Sequence, residues 1–127
     1  MSLKSPVGRV LGSGSAKEGT DHWWMQRVTA VALVALGLWF LAAMAGLDDY
    51  DQATVRAFMA APWNALSLVL LGLALAYHSS LGVQVVIEDY VHGPFLKVAA
   101  LVLNRFAHII VAAAATFAVL KTAFGTL

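Results

Sequence analysis

No cysteine occurs in the chain, which excludes disulfides and any iron–sulfur cluster held by thiolates of this protein. Charge is also scarce: eight Lys and Arg and seven Asp and Glu make up 12% of the residues and leave a formal net charge of +1. That balance carries no basic footprint for nucleic acid. No glycine-rich phosphate loop or dinucleotide fingerprint follows a strand-like run. Any flavin or iron–sulfur centre that works with this chain is therefore carried by other subunits. Polar and apolar residues do not alternate along the apolar runs, so the strands of a membrane barrel are excluded as well.

Hydrophobic residues fill the space that charge leaves. They make up 61% of the 127 residues, more than a soluble domain of this size can bury, because its surface-to-volume ratio is too high. The bilayer is part of the solvent. Val28 to Leu47 carries no charge, Ala57 to Ile87 has His78 as its only charged or imidazole group, and Lys97 to Lys121 is interrupted only by Arg105 and His108. A spanning helix needs roughly 20 apolar residues, and each run meets that length. The expected fold is an all-α membrane protein with three transmembrane helices, at about 23–47, 58–90 and 96–122. A polar tail rich in glycine and serine precedes it over residues 1–21, and the membrane domain takes up residues 22–127.

Orientation follows the placement of Lys and Arg. Lys4, Arg9, Lys17, Arg27, Lys97 and Arg105 lie at the amino-terminal side and around the loop between the second and third runs. Only Arg56 and Lys121 lie at the other side, beside the acidic Asp48, Asp49 and Asp51. The amino terminus is expected in the cytoplasm and the carboxy terminus in the periplasm of a bacterial inner membrane. The first apolar run starts late and is longer than a signal-peptide core, so cleavage is not expected. Trp23, Trp24, Trp63 and Tyr90 fall near run ends, as an aromatic belt requires.

His78 lies twelve residues before Tyr90, about 18 Å along a helix, and so near the bilayer midplane. An ionisable group at that depth needs a partner. One partner is haem iron, with Gly82 a turn away leaving room for a flat macrocycle and Ser79 offering a hydroxyl. The other is a neighbouring helix, through a hydrogen bond to serine or a backbone carbonyl. Tyr90 can donate to a quinone carbonyl, and Asp89 or Glu88 can relay protons; the same three residues also suit a plain helix end at the interface. Asp21, His22, Trp23, Trp24, Gln26 and Arg27 crowd the start of the first helix. Arg27 suits a haem propionate or a snorkelling anchor. Arg105 and His108 share a face of the third helix. His108 reaches a depth close to that of His78, so one chain could supply both axial ligands, although a polar contact between helices is the favoured role for His108.

His78, Gly82, Asp89 and Tyr90, spaced as His-x-x-x-Gly-x-x-x-x-x-x-Asp-Tyr, resemble the signature of the hydrophobic membrane anchor of succinate dehydrogenase, the smaller of the two anchors of that enzyme. Trp24 three residues before Arg27, followed by Thr29 and Ala30, resembles the same family, as do the length and the three-helix layout over roughly residues 20–125. The resemblance implies one half of a heterodimeric anchor bundle, with a b-type haem shared between the two anchors and a ubiquinone site. It assigns His78 as the axial ligand of the haem iron, Tyr90 as the quinone hydrogen-bond donor with Asp89 beside it, and Arg27 as a propionate contact. His108 has no inherited role. The implied partners are a second anchor (the cytochrome b subunit), an iron–sulfur subunit, a flavoprotein subunit and membrane lipid. The complex oxidises succinate and reduces quinone in electron transport and the tricarboxylic acid cycle, while this chain carries no succinate chemistry itself. The residues suit succinate oxidation and fumarate reduction, and ubiquinone and menaquinone, alike. The alternative is a membrane scaffold or small permease-like subunit without haem, in which His78, Arg105 and His108 form a buried polar network.

Overall fold

The computed structural model describes residues 19–125 together with Val7. The expected polar tail, with Lys4, Arg9 and Lys17, therefore lies almost wholly outside the described residues, as do Thr126 and Leu127. Four helices follow one another: α1 (Gly19–Ala45), α2 (Gln52–Ala60), α3 (Pro62–Tyr90) and α4 (Pro94–Phe124). No strand occurs among the described residues. Three of the helices, α1, α3 and α4, are long and apolar enough to cross a membrane. They contain 27, 29 and 31 residues, or about 40 to 46 Å at the helical rise. That exceeds a hydrocarbon core of about 30 Å, so their ends reach the polar interfaces. The protein is an integral membrane protein.

Proline sets two of the boundaries. Pro62 and Pro94 both sit in the first turn of their helices, where a missing N–H costs nothing and the ring pre-sets φ. Proline also bars its predecessor from helical geometry, and Ala61 is extended, with φ −65° and ψ 125°. The apolar run from Ala57 to Ile87 is therefore two helices and not one. The short first piece, α2, is the element that the hydropathy reading did not separate. Its signals are local: Pro62 ends it, and the Asp51 carboxylate accepts the Thr54 backbone N–H at 2.7 Å to cap its first turn. Hydrogen bonds from the Thr54 backbone, the Thr54 side chain and the Ala53 backbone hold the Asp51 carboxyl below its ordinary pKa.

The three long helices do not close into a ring. Central α3 packs against α1 on one side and α4 on the other, and α1 and α4 make no contact with each other. Small α2 leans on α3 and α4. Phe58 of α2 stacks near Trp39 of α1, with ring centroids 6.3 Å apart, and the Asn64 side chain donates to the Phe58 carbonyl at 3.0 Å. Six described residues are buried: Ala65, Ala76, Leu81, Thr29, Ser80 and Asn104. Half of them are polar, the reverse of a soluble core. Small residues bring α3 and α4 close together, as membrane helices require; a Cβ on Gly72 would stand 3.6 Å from the Ala115 methyl.

Removing the cap on α2 tests its local origin. In Asp51→Ala, amide exchange across residues 52–60 should accelerate several-fold while α1, α3 and α4 keep their protection, as read by hydrogen–deuterium exchange. Because the folded pKa of Asp51 is depressed, the cap is fully present above the ordinary carboxylate range and is lost as pH falls through the folded value. Acidification should therefore loosen the same nine residues in the wild type, after correction for intrinsic exchange rates.

Candidate functional site

His78 is held from α1. Its Nδ1 lies 2.9 Å from the Thr29 hydroxyl. Thr29 is buried, and the same hydroxyl lies 2.8 Å from the Met25 carbonyl and 3.1 Å from that of Gln26. Thr29 stands ten residues from the start of α1, and His78 stands twelve from the end of antiparallel α3. Their depths therefore match at about 15–18 Å. The interhelical bond runs to a threonine and not to the serine or carbonyl considered from the sequence. No described residue bonds His78 Nε2. One turn on, a Cβ at Gly82 would meet nothing within 4 Å, so the protein surface beside the ring is open.

His108 serves the other flank of α3. Its Nε2 lies 3.1 Å from Ser79 Oγ and its Nδ1 lies 2.8 Å from the Asn104 carbonyl. The Asn104 side chain also donates to the Ser80 carbonyl at 3.0 Å, while its Oδ1 is buried with no partner among the described residues. Successive residues of a helix are turned by about 100°, so His78 and Ser79 look toward different neighbours. His78 faces α1, and His108 meets α3 on the α4 side with both ring nitrogens engaged. The geometry of one chain holding iron between these two histidines is not present. A groove of about 360 Å³ runs along this second seam, with Tyr77, Ser80, Arg105 and His108 among its walls.

The acid–phenol cluster sits where α3 ends. Asp89 and Tyr90 are exposed, Tyr90 at 77%. Asp89 is eleven residues from His78 and so lies within about 20° of its face, whereas Tyr90 is turned about 120° from it. Glu88 is engaged locally, accepting from the Gln84 amide at 2.8 Å. Lys97 of α4 donates to the Glu88 carbonyl at 2.7 Å, covering a C-terminal carbonyl of α3. His92 Nδ1 lies 2.9 Å from the Tyr90 carbonyl. These bonds pin the turn from α3 to α4 and leave the Asp89 carboxylate and the Tyr90 hydroxyl facing outward.

Arg27 is at the same end of the molecule but not on the same face. It lies about 200° round α1 from Thr29, with its guanidinium 3.9 Å from the centre of the Trp23 ring and donating to the Trp23 carbonyl at 3.2 Å. Trp24, Arg27, Val28 and Val31 line an apolar recess of about 270 Å³ there. His22 is on the Thr29 side of α1, and its Nε2 is buried without a partner among the described residues. Sequence reasoning singled out His78, Arg27, Asp89, Tyr90 and His108. It did not give Thr29, Asn104 and Ser80 their bonding roles, because a serine or threonine in an apolar run carries no signal of which helix it faces.

Three membrane-spanning helices, a histidine held at mid-depth and an outward acid–phenol pair at one end define an all-α integral membrane subunit. The family model described as the succinate dehydrogenase/fumarate reductase transmembrane subunit matches residues 1–120, and the chain belongs to this family. It is 35% identical over 89 residues to a Rickettsia bellii protein named succinate dehydrogenase hydrophobic membrane anchor subunit, covering 70% of this chain and 71% of that one. A Paracoccus denitrificans protein of the same name is 33% identical over 116 residues, covering 91% and 89%. No solved structure matches the chain.

The α3–α4 seam can be probed through His108. Replacing it with alanine removes the bond to Ser79 and should weaken the helix pair by about 0.5–1 kcal/mol, read as an earlier unfolding midpoint in a detergent titration. An unchanged midpoint would mean that the Ser79 contact contributes nothing to the pairing.

Proposed function

We propose that the chain is one of two membrane anchors of a succinate:ubiquinone oxidoreductase, where it supplies one axial ligand to a b-type haem and one wall of a ubiquinone-reducing site. The observation that carries this reading is the state of His78: Nδ1 is tied to α1, Nε2 is unclaimed by any described residue, and the adjoining surface at Gly82 is open. A neutral imidazole of this kind is an ordinary haem ligand. His108 is turned to another seam, so a second histidine for such a haem would come from the partner anchor, as the family resemblance implies. The family relationship supports the same arrangement, with the flavoprotein and iron–sulfur subunits docked on the cytoplasmic face. The basic residues support a cytoplasmic amino terminus and a periplasmic carboxy terminus in a bacterial inner membrane.

Haem bound there supplies reversible one-electron storage beside the quinone site. Succinate is oxidised to fumarate on the flavoprotein, and its electrons reach the membrane through the iron–sulfur subunit. Ubiquinone takes up two electrons and two protons, and its two carbonyls become hydroxyls. Tyr90 donates a hydrogen bond to one carbonyl oxygen, which stabilises negative charge as it develops there. Asp89, exposed beside it, passes protons in from the cytoplasmic side. Arg27 neutralises a haem propionate. It belongs to this reading by charge and level, since it does not share the His78 face. The chain's own contribution is to bind, orient and protonate, while the redox chemistry belongs to the cofactors.

Two variants of the intact complex test the two halves of the proposal. His78→Ala should abolish the dithionite-reduced b-type spectrum of the purified complex. A wild-type complex without such a spectrum would establish a scaffold lacking haem. Tyr90→Phe should lower quinone reduction at least tenfold while succinate oxidation with an artificial soluble acceptor persists. Unaltered quinone turnover would remove Tyr90 from the site.

A further inference from the structure

We infer that Thr29 is a positioning residue: from α1 it fixes the tautomer and ring orientation of His78, so that the lone pair for iron is on Nε2 and is strengthened as a donor. The inference rests on the haem reading of His78 given above.

The hydroxyl of Thr29 stands within hydrogen-bond distance of three groups: the Met25 carbonyl at 2.8 Å, the Gln26 carbonyl at 3.1 Å and His78 Nδ1 at 2.9 Å. It has one proton to give. Both carbonyls can only accept. If the proton pointed at Nδ1, two carbonyl oxygens would press on the hydroxyl lone pairs with no hydrogen between them. If it points at the Met25 carbonyl, as buried threonines in helices commonly do, a lone pair is left to accept N–H from Nδ1. The first arrangement leaves both carbonyls facing the hydroxyl without a proton; the second leaves only that of Gln26 so, and keeps the bond to Nδ1. Thr29 is only 7% exposed, so solvent does not compete for the site.

A neutral imidazole that donates from Nδ1 has its lone pair on Nε2. Iron requires that tautomer, and Nε2 is the nitrogen left unclaimed by the described residues. The bond back to the preceding turn holds the β-branched threonine in one rotamer, so the acceptor for Nδ1–H is rigid. An acceptor at that position raises the basicity of a metal-bound imidazole. A stronger donor favours ferric over ferrous iron, so the Thr29 hydroxyl lowers the haem midpoint potential. Thr29 acts through His78 and touches neither iron nor quinone.

The test uses the intact complex with Thr29→Val, which keeps the shape and removes the hydroxyl, and Thr29→Ser, which keeps the hydroxyl. Haem content, the midpoint potential from a redox titration and the low-spin ferric electron-paramagnetic-resonance signal are measured. Thr29→Val should retain haem with a more positive midpoint and a displaced largest g value, and Thr29→Ser should return both to wild type. If Thr29→Val loses haem altogether, retention by Thr29→Ser supports the inference, and loss in both overturns it. A Thr29→Val complex with wild-type midpoint and g value also overturns it, as does a Thr29→Ser complex displaced as far as the valine variant. His78→Ala tells the two levels apart. Low-spin haem retained in that variant defeats the haem reading itself. Haem lost there while Thr29→Val stays silent defeats only the role of Thr29.

Discussion

In hydrocarbon no water is available to a hydroxyl, an amide or an imidazole, so each must find its partner within the protein. That constraint organises the molecule. Thr29, Ser80 and Asn104 are buried at helix seams, and away from the helix ends the bonds between the long helices run from α3 to its two neighbours: Thr29 to His78 on one side, and Asn104 to Ser80 and His108 to Ser79 on the other. Apolar side chains cannot do this, since lipid tails solvate them as well as another helix does. Each such bond contributes about 0.6 kcal/mol in membrane proteins, modest singly but directional, and it determines which faces meet.

The resulting arrangement has a centre and two edges. Because α1 and α4 do not meet, the chain presents long apolar faces on both sides of α3, which lipid or further subunits must cover. The same openness leaves His78 Nε2, the Gly82 surface, the Asp89 carboxylate and the Tyr90 hydroxyl uncommitted. Uncommitted polar groups along a helix edge suit a subunit of a larger membrane assembly, and the family to which the chain belongs consists of transmembrane subunits. His78 and Asp89 lie on nearly one face of α3 at different depths, so a single helix can serve a group at mid-membrane and another at the interface.

Much of this was legible in the residues. The three spans follow from hydropathy and length. The short α2 was missed although its signals were present, because hydropathy averaged over Pro62, whose ring ended one helix and began the next. At the site, His78 stood out because an imidazole within an apolar run is rare whatever its surroundings. Ser79 was read as offering a hydroxyl near His78, yet it bonds His108, and the partner of His78 is Thr29, 49 residues away in sequence. Proximity along a helix does not give proximity in space when neighbours diverge by about 100°.

Local and solvation effects are additive along the chain, so the amino-acid order was enough to establish the membrane location, the three crossings and the identity of the ionisable residues at depth. Which seam each of those residues occupies depended on the rotation of each helix about its axis. That rotation is chosen collectively, by the arrangement that leaves the fewest polar groups unpaired. Only after α1 and α4 had docked on opposite sides of α3 could His78 and His108 be told apart: one has a free nitrogen and an open surface, and the other is tied at both nitrogens into a helix contact.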